Sequence, residues 1–269
     1  MNIQDLLASG ALFVVNHSGG KDSQALLIHI LKIVPRSQIL VVHATLGEIE
    51  WEGALELAQK QAQDAGVPFI VARANWKDGS DKTFLNMAER RFADRPDAPS
   101  FPSAKHRQCT SDLKRGPIER EILRYMRERG LKLVVNCEGI RAAESRDRAK
   151  RSPFVHLNSK LDKDGKPTSA LARAGREAYS WLPIFDLQTL DVWCTILGAG
   201  QRPHPAYYAG NERLSCVFCI MGSKNDLANG AKARPDLFRR YVELEERTGY
   251  TMHMSRKPLA QLVAEAQAI

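Results

Sequence analysis

Residues 18–23 read Ser-Gly-Gly-Lys-Asp-Ser. They stand directly between an apolar run, ALFVVN at 11–16, and a stretch, DSQALLIHILKI at 22–33, whose apolar positions recur at helical spacing. A buried strand, a glycine turn and a helix in that order open a nucleotide-binding α/β unit. The two glycines let the backbone curl until consecutive N–H groups point at one anion. The following helix brings its positive end to the same place. Ser18 and Ser23 add hydroxyl donors and Lys21 adds charge. Asp22 would repel a bare phosphate, so its expected roles are to cap the helix or to hold Mg²⁺. The spacing is not that of a Walker A loop. Ser18, Gly19, Gly20, Lys21, Asp22 and Ser23 are therefore the first candidate ligand-binding residues.

The rest of the chain repeats the strand–helix alternation. Further strands are predicted at 39–43, 67–72 and 131–136, with helices at 53–65 and 116–129, the latter with Pro117 in its first turn. This alternation predicts an α/β fold with a doubly wound, mostly parallel sheet. Residues 76–106 read as irregular, with a Pro-rich loop, and 155–178 as a polar excursion. A strand-like piece and a helix at 190–197 follow, then a loop over 202–223. Helices at 235–248 and 256–268 close the chain. The expected organisation is one nucleotide-binding domain over 1–223 with a small C-terminal helical extension over 224–269.

Charge and cysteine usage narrow the class. The chain has 269 residues, a formal charge of +8 and 26% charged residues. Basic residues concentrate at 105–129 and 141–151, which suits an anionic partner. No apolar run is long enough to span a bilayer, and the N-terminus has no basic region of a secretory signal. A cytoplasmic protein without a membrane partner is expected. Five cysteines at 109, 137, 194, 216 and 219 make an uneven, odd set, which argues against a disulfide framework. Cys216-Val-Phe-Cys219 has a spacing that lets both sulfurs reach one metal. Cys137 and Cys194 read as small buried residues.

Taken together, these motifs resemble the PAPS reductase branch of the adenine nucleotide alpha-hydrolase (PP-loop ATP pyrophosphatase) superfamily. The hexapeptide at 18–23 is similar to its SGGxDS loop. His43-Ala44-Thr45-Leu46-Gly47, followed by Glu50, sits where the branch has an acidic, glycine-containing loop, with Thr45 in place of a common Asp. Arg107 to Lys114 resembles its Arg-x-Cys-x-x-x-Leu-Lys segment. Gly139-Ile140-Arg141-Ala142-Ala143-Glu144-Ser145 resembles Gly-x-Arg-x-x-Glu-Ser. Pro183–Phe185 with Asp191-Val192-Trp193, and Arg213 to Cys219, complete the ordered set over 11–223.

The resemblance implies a Rossmann-like fold that binds ATP, or a PAPS- or APS-like adenine nucleotide, with Mg²⁺. It implies Lys21, Asp22, Cys109, Lys114 and Arg141 as catalytic candidates, and adds His43, Gly139 and Arg141 to the nucleotide-binding set. It also implies a 4Fe–4S cluster on Cys109, Cys216 and Cys219, with zinc or no metal as alternatives. Sulfonucleotide reductases of this branch attack with a C-terminal cysteine, and residues 220–269 contain none. The expected activity is therefore ATP-dependent sulfur transfer. The acceptor would be adenylated with pyrophosphate release and then thiolated, as in the similar sulfurtransferases of DNA phosphorothioation. A nucleic-acid acceptor (tRNA or DNA), a sulfur donor such as a cysteine desulfurase, and a possible homodimer are the expected partners. Sulfonucleotide reduction and a non-catalytic nucleotide-binding regulator are the alternatives.

Overall fold

A computed structural model describes residues 1–268. The chain forms two compact units, each assembled from three separate segments. Unit 1 is Met1–His43, Leu55–Ala72 and Ile118–Pro203; unit 2 is Ala44–Ala54, Arg73–Pro117 and the chain from His204 onward.

Unit 1 is the α/β sheet. Its strands are β1 (Leu12–Asn16), β2 (Ile39–Ala44), β3 (Phe69–Ala72), β4 (Leu133–Cys137), β5 (Phe154–His156) and β6 (Glu177–Trp181). Their order is β3-β2-β1-β4-β6-β5. β1 pairs in parallel with both β2 and β4, and β4 in parallel with β6. β5 closes the edge antiparallel to β6. Side chains of β1 alternate between two cores, as the two-residue period of a strand requires. Phe13 and Val15 join Leu26, Leu27 and Ile30 of helix Lys21–Leu31. Leu12 and Val14 join Ile122 and Met126 of helix Gly116–Glu128 on the other face. Both faces are thus covered, which is why β1 reads as an unbroken apolar run.

The chain leaves β1 for β2 on one side and reaches β4 on the other, so the loops after β1 and β4 diverge from adjacent strand ends. That topological switch point is where open parallel sheets bind ligands. Among the described residues, no helix is long and apolar enough to cross a membrane.

Several elements differ from the sequence-based expectation, each for a physical reason. Helix Phe84–Asp94 forms inside the segment expected to be irregular, because Thr83 and Asn86 make a reciprocal capping box and Phe84, Leu85 and Ala88 face a core. Most of β5 and the first two residues of β6 fall inside the expected excursion at 155–178. β6 carries Glu177 and Ser180 among its five residues, so it lacks an apolar run and is held by pairing with β4. Helix Lys224–Ala233 has no clear sequence signature either. It is polar, and Ser223 starts it by accepting from the Asp226 N–H.

Unit 2 is mainly helical. Helices Phe84–Asp94, Lys224–Ala233, Pro235–Thr248 and Leu259–Gln267 surround an aromatic core. Tyr241 is its centre, 5.7 Å from the Phe84 ring and 5.2 Å from the Phe218 ring. The buried Glu245 carboxylate accepts from the N–H groups of Met252 (2.6 Å) and Leu259 (2.7 Å), and so caps the last helix from a neighbouring one. The Tyr241 hydroxyl is buried and has no hydrogen-bond partner among the described residues. Burying an unpaired hydroxyl costs free energy that an isosteric phenyl ring avoids. Tyr241→Phe is therefore expected to raise stability by about 1 kcal/mol in urea unfolding, and a loss of that size would show that the hydroxyl is satisfied.

Candidate functional site

The loop after β1 is shaped by its own side chains. Gly19 turns at φ 74°, a conformation that glycine adopts without a Cβ clash. The Ser18 N–H donates to Ser23 Oγ at 3.1 Å. Ser23 Oγ–H in turn donates to the Gly20 carbonyl at 2.8 Å, closing the loop on itself. The two serine oxygens lie 3.3 Å apart. Helix Lys21–Leu31 starts at Gly20, which offers no side-chain cap. The positive helix end is thus left for an anion to complete.

Two histidines hold this loop from behind. His17 Nδ1 accepts the Gly19 N–H at 3.1 Å, and His43 Nδ1 donates to the His17 carbonyl at 2.8 Å. Both rings are buried. His43 thus contacts the loop backbone rather than opening onto solvent. His17 is not among the residues expected from the sequence; its one signal there is its place immediately before the loop.

Asp22 is the centre of the charge arrangement. Arg141 Nε donates to Asp22 Oδ1 at 2.6 Å, and the Arg141 side chain is only 3% exposed. Arg141 Nη1 also donates to the Leu187 carbonyl at 3.1 Å, and its backbone N–H to Glu144 at 3.0 Å. Lys21 Nζ lies 3.5 Å from Asp22 Oδ2 and 5.9 Å from the centre of the Trp193 ring. Gly139 allows the β4 loop to reach this place. A Cβ there would meet the Asp22 carbonyl oxygen at 2.9 Å and the Ser23 nitrogen at 3.2 Å. The structure therefore brings Ser18–Ser23, His43, Gly139 and Arg141 together in unit 1. Because Asp22 is already engaged by two cations, its carboxylate does not fit the expected role of a resident Mg²⁺ ligand.

The remaining candidates lie in unit 2. Cys109 precedes a π-helical turn, Ser111–Arg115, that carries Lys114; such turns recur at functional sites. Cys216 and Cys219 flank the buried Val217 and Phe218, and the Val217 N–H donates to the Ile49 carbonyl at 2.9 Å. Cys109, Cys216, Cys219 and Glu50 all lie close enough to Lys114 to act on its charge. Lys114 is raised above its ordinary value chiefly by Cys216, against the lowering effect of burial, with Cys219, Cys109 and Glu50 reinforcing it. Burial pushes the Cys216 thiol up to about 12, opposed by Lys114. Burial also raises Cys109, again opposed by Lys114. At neutral pH both thiols therefore keep their protons, and the ammonium is poised as counter-ion to any sulfur anion formed beside it.

This arrangement does not match the expected 4Fe–4S cluster or zinc. Among the described residues, no group of three or more His, Cys, Asp or Glu side chains is disposed to hold a metal ion. A metal site needs its donor sulfurs to converge on one point, and spacing in the sequence does not secure that. Cys137 is buried, as expected, with its thiol directed to the Val135 carbonyl. Cys194, expected to be buried, is exposed.

A model of the phosphoadenosine phosphosulfate reductase domain matches residues 13–221. An uncharacterized 37.8 kDa protein of Escherichia phage 186 is 29% identical over 145 residues, covering 54% of this chain and 39% of that protein. An uncharacterized protein of Methanocaldococcus jannaschii is 25% identical over 217 residues, covering 80% of this chain and 38% of the relative. The chain thus spans about two fifths of the length of these curated relatives. Among solved structures, it is similar to a phosphoadenylyl-sulfate (PAPS) reductase from Candida auris in its phosphate complex, with a TM-score of 0.48 and 11% identity over 80% of this chain and 85% of that one.

The loop's dependence on a neutral imidazole has a pH consequence. Burial lowers the His17 pKa from 6.5 to about 3, with a smaller opposing effect from Gln61 and a lowering one from His43. The unfolded chain takes up a proton below 6.5 while the folded one does not. Stability from this group is therefore complete above 6.5 and is lost as pH falls toward 3, by about 1.4 kcal/mol per pH unit. His17→Asn keeps an acceptor near Nδ1 and removes the titration. Its urea stability between pH 6.5 and 4 should fall less steeply than wild type by one proton's worth, and parallel profiles would refute the assignment.

Proposed function

Because the chain belongs to the phosphoadenosine phosphosulfate reductase domain family, we propose that its adenine nucleotide is ATP and that its reaction is ATP-dependent sulfur transfer. The observation that carries this reading is that Cys109 and Cys216 pack against one core of unit 2, with Cys219 and Lys114 near enough to act on the same charges. A reaction that moves sulfur and then discharges a mixed disulfide needs more than one thiol and a fixed counter-charge.

The magnesium salt of ATP binds as substrate at Ser18–Ser23, where loop N–H groups, the helix end and Lys21 meet its phosphates. A carbonyl oxygen of the acceptor attacks the α-phosphorus; the bond to the β,γ-unit breaks and pyrophosphate leaves. The acceptor carbon now carries AMP as a leaving group. A desulfurase-type donor has loaded one of the three cysteines with a persulfide, whose terminal sulfur attacks that carbon as AMP departs with the electron pair. A second thiolate attacks the cysteine sulfur of the resulting mixed disulfide. The thiolated acceptor leaves, two cysteines are oxidised to a disulfide, and an external dithiol reduces them. In this scheme Lys114 stabilises the persulfide and thiolate anions, and Arg141 positions Asp22 and the loop. The +8 charge supports a nucleic-acid acceptor.

Sulfonucleotide reduction is the second reading, and the family match itself favours it. Pyrophosphate release from ATP and sulfite release from PAPS or APS separate the two. Sulfur transfer should give pyrophosphate only, its release rising when an acceptor nucleic acid is added. It should also give a persulfide, seen as one added sulfur atom by mass spectrometry, on Cys109, Cys216 or Cys219. The corresponding Cys→Ser variant should lose thiolation by about a hundredfold or more while still releasing pyrophosphate. Sulfite release from either sulfonucleotide with thioredoxin present would contradict the proposal.

A further inference from the structure

Unit 2 contains a cavity of about 450 Å³ beside the Cys109 turn. Arg91, Ser103, His106, Arg107, Gln108 and Ser111 line it, and no carboxylate does. Arg91 Nη1 donates to Gln108 Oε1 at 2.6 Å, and Arg107 Nη1 points to the Met221 sulfur at 3.9 Å. Each guanidinium thus gives an N–H to a neutral group, and neither forms an ion pair among the described residues. Their remaining donors have no anion to meet. Other arginines of unit 2 are paired with carboxylates, Arg240 with Glu48 and Arg247 with Glu89 among them.

The cavity is held open by local structure. Ser103 and His106 bond reciprocally: the His106 N–H donates to Ser103 Oγ at 3.0 Å and the Ser103 N–H to the His106 carbonyl at 3.3 Å. That turn fixes the chain just before Arg107. Arg91 comes from helix Phe84–Asp94, which also carries Arg90, stacked 4.0 Å over the Trp76 ring. Arg90 is itself paired with Asp78, but Arg107 belongs to the basic stretch at 105–129, with Lys105 beside it. A polymer presents successive phosphates to such a series, whereas a mononucleotide has one short run of them.

We propose that this cavity binds the phosphodiester backbone of a nucleic acid and presents it beside Cys109. The inference rests on the sulfur-transfer reading, since it locates the acceptor of that reaction. Paired guanidinium donors suit phosphate oxygens, and interactions of this kind position a polymer without reading its sequence.

The test is binding of a fluorescein-labelled DNA duplex to the full chain by anisotropy, without ATP, over a range of salt. Arg91→Gln/Arg107→Gln should weaken binding by about tenfold and lower the salt slope by about two, one for each phosphate that an arginine no longer neutralises. Arg120→Gln/Arg124→Gln removes the same charge from the exposed face of helix Gly116–Glu128 and should change little. Circular dichroism melting checks that both variants fold. Equal weakening by the two pairs would show that only net charge matters, and would overturn the proposal. Loss of ATP affinity in the Arg91/Arg107 variant would assign the cavity to a nucleotide and also overturn it. A chain that binds duplex through Arg91 and Arg107 yet releases no pyrophosphate would keep the cavity assignment and remove the sulfur-transfer reading.

Discussion

The contact between Asp22 and Arg141 is the constraint from which the nucleotide half of the molecule follows. It joins residues that are 119 positions apart, one in the loop after β1 and one in the loop after β4. Arg141 is almost wholly buried and needs its partner, because an unpaired buried guanidinium would cost several kcal/mol. Asp22 needs it too, since a lone carboxylate at this helix end would compete with an incoming phosphate. The pair turns a repulsive residue into a strut. Gly139 makes the strut possible by letting the β4 loop touch the Asp22 backbone. The sheet order places β1 and β4 side by side, so the fold delivers the two loops to each other before any side chain is chosen.

The thiol group in unit 2 follows a different logic. Here one ammonium lies near Glu50 and near two thiols, Cys216 and Cys109, whose protons burial retains. Burial holds Cys216 and Cys109 protonated, while Lys114 lowers the cost of removing those protons. That combination protects the sulfurs from adventitious oxidation yet keeps a counter-charge in place. A metal site requires donor sulfurs that converge on one point and lose their protons to the metal. The expectation of a cluster comes from the family resemblance and the Cys216–Cys219 spacing, and neither fixes whether the three sulfurs converge.

Legibility in the sequence divides along physical lines. The loop at 18–23 and the strands β1, β2 and β4 are legible because both sheet faces are buried and leave unbroken apolar runs. The closeness of Gly139 and Arg141 to the loop is legible through the family resemblance. β6 is hard to place because its five residues include polar ones and depend on pairing with β4. Helices Phe84–Asp94 and Lys224–Ala233 escape a reading of apolar periodicity because their starts depend on capping side chains, Thr83 and Ser223, within polar sequence. His17 escapes it because a buried histidine that accepts one N–H has no periodic signature.

Nucleotide binding at the β1 loop is the claim on which the proposed chemistry stands, and the approach of Gly139 to Asp22 is its most exposed point. A methyl group at 139 would sit 2.9 Å from a backbone oxygen, which cannot yield without moving the loop. Calorimetric titration of ATP into wild type and Gly139→Ala, both shown to fold, tests this directly. Wild type should bind ATP, and the variant should bind at least about tenfold more weakly, a loss of about 1.4 kcal/mol. Equal affinities, or no binding by wild type, would contradict the claim.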